Sequence, residues 1–197
     1  LLHPDPARAA GDELSPAQKK QVEEIVRQYL LKNPEVLIEA LNTLRTREEA
    51  EEAKGQGDAI AGRRAELERD PASPVGGNAS GDVTLVEFFD YRCGYCKRVH
   101  ETVQDLLKAD GNIRFVYKEF PLLGPESLFA ARAALAAFKI APDKYRALHD
   151  KLMALPSGAV KEDSVMAQVK AVGLDVKAVR QRMDDPAVAK DMERVQD

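Results

Sequence analysis

The feature that most constrains the fold is an apolar run that ends at the only two cysteines of the chain, Cys93 and Cys96. Residues 83–89 are nearly all branched, apolar or aromatic, which is typical of a strand buried on both faces. A helical pattern follows over 96–107, and a second strand pattern follows over 113–120. This order predicts a βαβ unit, in which reaction sites lie beyond the carboxyl ends of the strands. Both cysteines lie at such an end.

The spacing of the cysteines favours thiol–disulfide exchange. A reactive thiol needs a lowered pKa, and the first turn of a helix favours an anion through its unpaired N–H groups and dipole. Cys93 is expected at that junction and Cys96 one turn inside, where it can attack a mixed disulfide formed at Cys93. Lys97 and His100 add positive charge nearby, while Asp90 opposes it.

Other interpretations of the cysteine pair stay open. A C-x-x-C can be half of a zinc site, but a closed site needs four ligands, and the chain offers only His3, His100 and His149 besides the cysteines. We therefore predict no metal site and no cofactor, and we expect His100 and His149 at helix surfaces. An inert structural pair is a further alternative. Sequestration of copper(I) by both thiolates is another, because soft ligands select that ion.

Glu87 is the one charged residue in the first predicted strand, where a carboxylate is costly unless it is paired or protonated. We expect Glu87 to relay protons to the buried thiol of Cys96. Lys118, in the second strand, is a candidate partner for this carboxylate. The alternative is that Glu87 points to solvent at a strand end.

Helical patterns flank the βαβ unit. Residues 15–75 predict two amphipathic helices and a charged stalk, which bury little apolar surface by themselves. We interpret them as an oligomerisation arm and linker, with packing on the following domain as the alternative. Residues 76–197 predict the main domain, with an inserted helical segment over about 125–197. Residues 1–14 predict a leader in which 7–9 (Ala-Arg-Ala) resembles a secretory cleavage site.

Composition argues against several classes of protein. The net charge of −4 gives no basic field, so nucleic acid is not an expected partner. No apolar run approaches the length that crosses a bilayer. Two cysteines three positions apart form one local device and do not make a disulfide-stapled scaffold.

Three segments resemble a known family. Residues 87–98 (EFFDYRCGYCKR) look like the DsbA-like branch of the thioredoxin superfamily, and 118–127 (KEFPLLGPES) is similar to the segment that leads into its inserted helical subdomain. Residues 29–36 (YLLKNPEV) resemble the amino-terminal region of ScsC-like members, which are periplasmic proteins associated with copper tolerance. The resemblance implies an α/β, thioredoxin-like βαβ core with an inserted helical subdomain and an amino-terminal helical arm.

For the site, the resemblance implies that Cys93 is the nucleophile, Cys96 the resolving cysteine and Glu87 the buried acid. The dipeptide Gly94-Tyr95 is similar to that of DsbC-type isomerases, so we expect a milder oxidant than a Pro-His site and shuffling of wrong disulfides. A dithiol oxidase is the alternative. The residues expected to tune the thiolate are Gly94, Tyr95, Lys97, His100 and Lys118.

The resemblance also implies partners. These are protein substrates with thiols or disulfides, a membrane redox partner (an ScsB-like or DsbD-like reductase, or a DsbB-like oxidase) and further copies of the chain bound through the arm. One departure is that none of the eleven prolines fits the cis-proline loop of the family. With only two predicted strands, the sheet would be marginal, so we expect the domain to lack its carboxyl-terminal strands.

Overall fold

The computed structural model describes residues 14–196, so the predicted leader over 1–14 lies outside the described residues except for Leu14. The chain divides into two compact units, Leu1–Gly62 and Arg63–Asp197. None of the described helices has both the length and the apolar character that a membrane span requires.

The first unit contains helix α1 (Pro16–Lys32) and helix α2 (Glu35–Gly62). Ser15 caps α1 through a capping box with Gln18, as the sequence predicts. Neither helix has a buried residue within this unit. Their large apolar side chains are exposed, and these are Val22, Ile25, Val26, Tyr29, Leu31, Leu37, Ile38, Leu41, Leu44 and Ile60.

The second unit is built on a three-stranded sheet. Its elements begin with α3 (Arg64–Arg69) and β1 (Val75–Gly77). The predicted βαβ unit follows as β2 (Val83–Phe89), α4 (Gly94–Ala109) and β3 (Ile113–Glu119). β2 and β3 pair in parallel, and β1 pairs with the other edge of β3 in antiparallel orientation. The βαβ core is therefore confirmed.

β1 was not predicted, and the expectation of a two-stranded sheet was wrong. The strand is only three residues long and includes Gly76 and Gly77, so it has no apolar alternation. The ring of Tyr117 packs directly against Gly76, and a Cβ at this position would lie only 2.9 Å from the ring. Packing against β3, not local propensity, therefore places β1.

Helices fill the rest of the second unit, as predicted. Their core is the alanine-rich α5, whose small buried side chains let the neighbouring helices approach closely. The aromatic face of the sheet, with Phe89, Phe115 and Tyr117, joins the same core. Among the described residues, no strand follows β3 and no peptide bond is cis. The helices are α5 (Pro125–Ile140), α6 (Pro142–Ala154), α7 (Glu162–Ala171), α8 (Val176–Met183) and α9 (Pro186–Gln196), with a 3₁₀ turn at Ser157–Ala159.

Candidate active site at the start of helix α4

The cysteines lie at the junction that the sequence predicts. Cys93 is the N-cap of α4, and its Sγ accepts a hydrogen bond from the backbone N–H of Cys96 at 3.4 Å. Both cysteines are free thiols and are half-buried. The end of β2 and the first turn of α4 therefore hold the two sulfur atoms on one side of the helix start.

The two thiols differ in acidity. Burial opposes ionisation of Cys93, but hydrogen bonds from the Cys96 thiol and from the backbone N–H groups of Cys96 and Tyr95 lower its pKa below the ordinary value. Burial and the neighbouring Cys93 raise the pKa of Cys96 to about 11. Of the two thiols, Cys93 is therefore the more acidic one, as its predicted role of nucleophile requires.

Asp90 organises the loops around the cysteines. Its buried carboxylate accepts hydrogen bonds from the backbone N–H of Arg92 at 2.7 Å and from the hydroxyl of Ser127 at 2.8 Å. It also accepts from the N–H groups of Leu122 and Leu123 at 2.8 and 2.9 Å. The sequence indicated only that Asp90 opposes the positive charge near the thiols. The structure shows that it fixes the segment after β3 beside Cys93.

Glu87 lies close enough to both Cys96 and His100 to affect them. Burial raises the pKa of this half-buried carboxyl, and the charge of His100 partly offsets that effect. The charge of Glu87 in turn raises the pKa of Cys96. This placement is compatible with the predicted proton relay.

Lys118 does not join this site, so the prediction that it partners Glu87 was wrong. Phe88 and Lys118 are paired in the β2–β3 register, which puts Lys118 on the sheet face opposite to Glu87. Its buried Nζ donates to the carbonyl oxygen of Glu66 at 2.9 Å and to Oδ2 of Asp70 at 3.3 Å. Successive side chains of a strand point to opposite faces of the sheet, and this alternation separates Glu87 from Lys118.

Lys97 does lie near the cysteines. Its Nζ donates to the carbonyl oxygens of Leu152 and Met153 at 3.1 Å each, at the end of α6. Burial lowers the pKa of Lys97 to about 8, against the attraction of Asp90 and the cysteines. Lys97 is therefore held at the end of α6, and its charge interacts with both thiols.

The two residues between the cysteines face solvent. The side chain of Tyr95 is 76% exposed, and the guanidinium of Arg98 lies 4.2 Å from the centre of its ring. A Cβ placed on Gly94 would meet no atom closer than 3.9 Å, so this position has room for a larger residue. The predicted roles of Gly94 and Tyr95 in tuning the thiolate stay predictions.

His149 is buried, contrary to the expectation of a helix-surface residue. The physical reason lies in α6, where Tyr145, Leu148, His149 and Leu152 share one buried face at helical spacing. That spacing was visible in the sequence and could have placed His149 in the core. His100 is half-buried and pairs with Asp150, with 3.3 Å between Nε2 and Oδ1.

Glu119 is a second buried carboxyl that the sequence analysis missed. It ends β3, and the hydroxyl groups of Tyr91 and Tyr145 each donate to its Oε1 at 2.8 Å. Burial raises its pKa to about 8, although these two hydrogen bonds act in the opposite direction. The same hydroxyl of Tyr91 lies 3.1 Å from Nδ1 of His149. A buried polar network thus runs from β3 to α6.

An apolar surface adjoins Cys93. A pocket of about 140 Å³ opens beside the cysteines. The rings of Phe88 and Phe120 meet edge to face with 5.7 Å between their centres. Leu122 and Leu123 are 66% and 49% exposed. The lining residues are Phe88, Phe89, Asp90, Cys93, Cys96, Phe120, Leu122 and Leu123.

Comparison with known families identifies both parts of the chain. The thioredoxin family model matches 69–197, and the model of the copper resistance protein ScsC N-terminal domain matches 18–51. The chain therefore belongs to the thioredoxin family, its amino-terminal segment matches that of ScsC, and its structural neighbours include ScsC and a DsbA-like thiol–disulfide exchange protein.

Solved structures agree with this assignment. A thioredoxin-like oxidoreductase from Silicibacter pomeroyi is 46% identical, covers 68% of this chain and 75% of its own, and superposes with a TM-score of 0.64. ScsC of Proteus mirabilis in a transitional conformation is 28% identical, covers 93% of this chain and 80% of its own, and has a TM-score of 0.63.

Among curated relatives, the Na⁺/H⁺ antiporter NhaA 1 of Salinispora arenicola is 31% identical over 113 residues. That match covers 56% of this chain and 17% of the antiporter. The chain thus spans about a sixth of the length of such relatives.

Proposed function

We propose that this protein shuffles non-native disulfides of protein substrates through Cys93 and Cys96. The observation that carries the proposal is the split between the two thiols, with the pKa of Cys93 lowered and that of Cys96 raised to about 11. The family relationship supports the reaction class. The relationship to ScsC supports the periplasm as its location.

The chemistry follows from the split. The Cys93 thiolate attacks one sulfur of a substrate disulfide, which forms a mixed disulfide and releases the other substrate sulfur as a thiolate. A second substrate thiolate can then attack the mixed disulfide, which rearranges the substrate and regenerates Cys93. If Cys96 attacks instead, it loses its proton, the substrate leaves as a dithiol and a Cys93–Cys96 disulfide forms.

The high pKa of Cys96 favours the first of these outcomes. Burial is the largest cause of the raised pKa of Cys96 and persists in the mixed disulfide, so this thiol stays protonated at neutral pH and attacks slowly. The substrate then has time to rearrange while it is bound. The exposed apolar surface of Phe88, Leu122 and Leu123 beside Cys93 suits the apolar segments of an incompletely folded substrate.

An isomerase works only with reduced cysteines, so this function requires a reductant. We propose an ScsB-like or DsbD-like membrane reductase as the redox partner. A dithiol oxidase would instead need a DsbB-like partner that keeps the Cys93–Cys96 disulfide formed. The direction of electron flow therefore separates the two candidate activities.

Refolding of a scrambled multi-disulfide protein tests the proposal. The reduced full-length chain should restore native disulfides, Cys93→Ser should abolish the activity, and Cys96→Ser should keep part of it. If the wild-type chain oxidises a reduced dithiol peptide rapidly but leaves the scrambled protein inactive, the oxidase is correct. A strongly oxidising potential of the cysteine pair would support that same conclusion.

Copper(I) binding is a second candidate function. It is favoured by two free thiols one helical turn apart and by the match to the amino-terminal domain of a copper resistance protein. A competition titration with a copper(I) chelator should show one bound ion per reduced chain. The Cys93→Ser/Cys96→Ser variant is the control, and unchanged binding by it would exclude the two thiolates as ligands.

We also propose that the first unit joins copies of the chain. Its two helices carry ten large apolar side chains that are exposed and bury no residue within the unit. Apolar surface of this kind marks an interaction site. Several active sites in one assembly could then act on one substrate, which suits disulfide shuffling.

A further inference from the structure

We propose that His100, His149 and Asp150 form a binding site for a divalent transition-metal ion, with zinc as the best fit. One ligand atom of each residue lies within 4.8 Å of the others, so the three atoms converge from two helices. The site is separate from the thiols, and the proposal does not depend on the proposed disulfide chemistry.

Hydrogen bonding presets His149 as a ligand. The hydroxyl of Tyr91 donates its proton to Oε1 of Glu119 at 2.8 Å, so toward His149 it can only accept. The contact of 3.1 Å between this hydroxyl and Nδ1 of His149 therefore places the imidazole proton on Nδ1. The lone pair of Nε2 is left free for a metal.

Within residues 14–196, this lone pair has no hydrogen-bond partner. His149 is fully buried, and its Nε2 makes no hydrogen bond among the described residues. Oδ1 of Asp150 is also buried, and among the described residues it makes no hydrogen bond beyond its ion pair with Nε2 of His100 at 3.3 Å. Buried polar atoms are rarely left in this state, because each costs about 1–3 kcal/mol. A cation between them would satisfy both atoms at once.

One of the three distances between ligand atoms matches a zinc site, and the other two lie within 4.8 Å. Two ligands at about 2.0–2.1 Å from a tetrahedral ion are about 3.3–3.4 Å apart. His100 and Asp150 already have 3.3 Å between their ligand atoms. Three protein ligands leave one position of a tetrahedral ion for a water molecule. Two imidazoles and one carboxylate can also bind iron(II) or nickel(II), so both ions are titrated beside zinc.

The surrounding charges are mixed. Lys97 and Arg146 act on His149 with positive charge, which disfavours a cation. The carboxylate of Asp150 acts on the same ring with negative charge, and that of Glu87 faces His100. Lys97 is held by carbonyl oxygens and Arg146 donates to Gln104, so neither of them occupies the position between the ligand atoms.

The Tyr91 hydroxyl would serve as a positioning group. It holds the Nδ1–H of His149 and so fixes both the tautomer and the orientation of the ring. In known metal sites, loss of such an outer partner weakens binding by about 10–100-fold. The same range is expected for Tyr91→Phe.

A zinc titration of the oxidised, untagged full-length chain tests the inference. The Cys93–Cys96 disulfide removes the thiolates as competing ligands, and omission of a tag removes foreign histidines. Competition with a chromogenic chelator should show one zinc per chain. Asp150→Asn and His100→Gln should each weaken binding at least about tenfold. Asp143→Asn, an exposed change on the same helix, and His3→Ala should bind like the wild type.

Two results would overturn the inference. One is failure of the oxidised wild-type chain to bind zinc, iron(II) or nickel(II). The other is binding that Asp150→Asn and His100→Gln leave unchanged. Because both positions are only partly buried, these variants should keep the fold, which circular dichroism verifies, whereas His149→Gln could unfold the core. Disulfide shuffling is measured after reduction of the same preparations, so either proposal can fail without the other.

Discussion

The backbone N–H of Cys96 lies 3.4 Å from the Sγ of Cys93 and donates to it at the first turn of α4. A helix start stabilises an anion at the N-cap, whereas burial and the neighbouring Cys93 disfavour an anion at Cys96. The two cysteines therefore differ in acidity although they are three residues apart. This asymmetry, more than the presence of two thiols, gives the pair a direction of attack.

The first prediction concerns the reactivity of the two thiols. Iodoacetamide should alkylate Cys93 of the reduced chain with a midpoint below the ordinary thiol pKa of 9.0, while Cys96 should react only as the pH approaches about 11. In Cys96→Ala the midpoint of Cys93 should rise, because a hydrogen-bond donor is lost. Peptide mass spectrometry across pH measures both. Equal reactivity of the two thiols would contradict the assignment of Cys93 as nucleophile.

The second prediction tests Glu87 as the proton relay. In Glu87→Gln, resolution of a mixed disulfide by Cys96 should slow about tenfold or more at pH 7, because the proton acceptor is lost. The rise of this rate at alkaline pH should move to lower pH, since the charge of Glu87 raises the pKa of Cys96. Stopped-flow measurement with a preformed mixed disulfide gives both quantities. Asp82→Asn, an exposed change near the start of β2, is the control, and a wild-type rate in Glu87→Gln would exclude the relay.

The third prediction concerns stability against pH. The pKa of Glu119 is about 8 in the folded chain and near 4.5 when it is exposed, so between these values the folded state binds one more proton than the unfolded state. The free energy of unfolding should therefore fall as pH rises from about 4.5 to 8, by up to about 1.4 kcal/mol per pH unit from this group.

Urea unfolding at pH 5 and pH 8 checks this sign. Glu119→Gln cannot ionise and should lose this pH dependence, so that its stability relative to the wild type is higher at pH 8 than at pH 5. Glu101→Gln, on the exposed side of α4, should keep the wild-type profile. A difference between wild type and Glu119→Gln that is the same at both pH values would show that Glu119 stays ionised in the core.

The fourth prediction concerns the first unit. Leu37 and Leu41 lie one turn apart on α2 and are 50% and 63% exposed. If this surface joins copies of the chain, Leu37→Glu/Leu41→Glu should lower the mass seen by native mass spectrometry to that of one chain. Glu51→Gln, a polar change on the same helix, should leave the assembly intact. A wild-type chain that is already monomeric would contradict the proposal.

The same double variant separates assembly from chemistry. Cys93 lies in the other unit, so the pH profile of its alkylation should stay at the wild-type midpoint. Shuffling of a scrambled substrate should fall, because the proposed benefit of several sites on one substrate is lost. Loss of thiol reactivity as well would show that the substitutions damage the fold instead.

Local sequence was sufficient to place the cysteines. The apolar run of β2 and the helical spacing of α4 fix the junction at Cys93, because strand and helix periodicities are local properties of the chain. The capping of α1 at Ser15 and the succession of helices after 125 follow from equally local signals.

Long-range packing decided the features that local sequence patterns did not predict. β1 exists because Gly76 lets the ring of Tyr117 lie against it, and a pattern of three residues carries no such information. Lys118 bonds Asp70 and not Glu87 because the β2–β3 register assigns them to opposite faces of the sheet. Such partners are far apart in sequence, so only the folded chain brings them together.

The sequence by itself determined the reactive pair, its place on a βαβ unit and the helical character of both flanking regions, since each depends on residues within one or two turns of one another. Only the tertiary structure decided the surroundings of that pair. It made Asp90 the acceptor of four hydrogen bonds and gave Glu119 a raised pKa. It also left the buried Nε2 of His149, beside His100 and Asp150, without a hydrogen-bond partner in the part of the chain that the structure describes. Burial and hydrogen bonding there depend on side chains from separate elements, whose meeting no local pattern encodes.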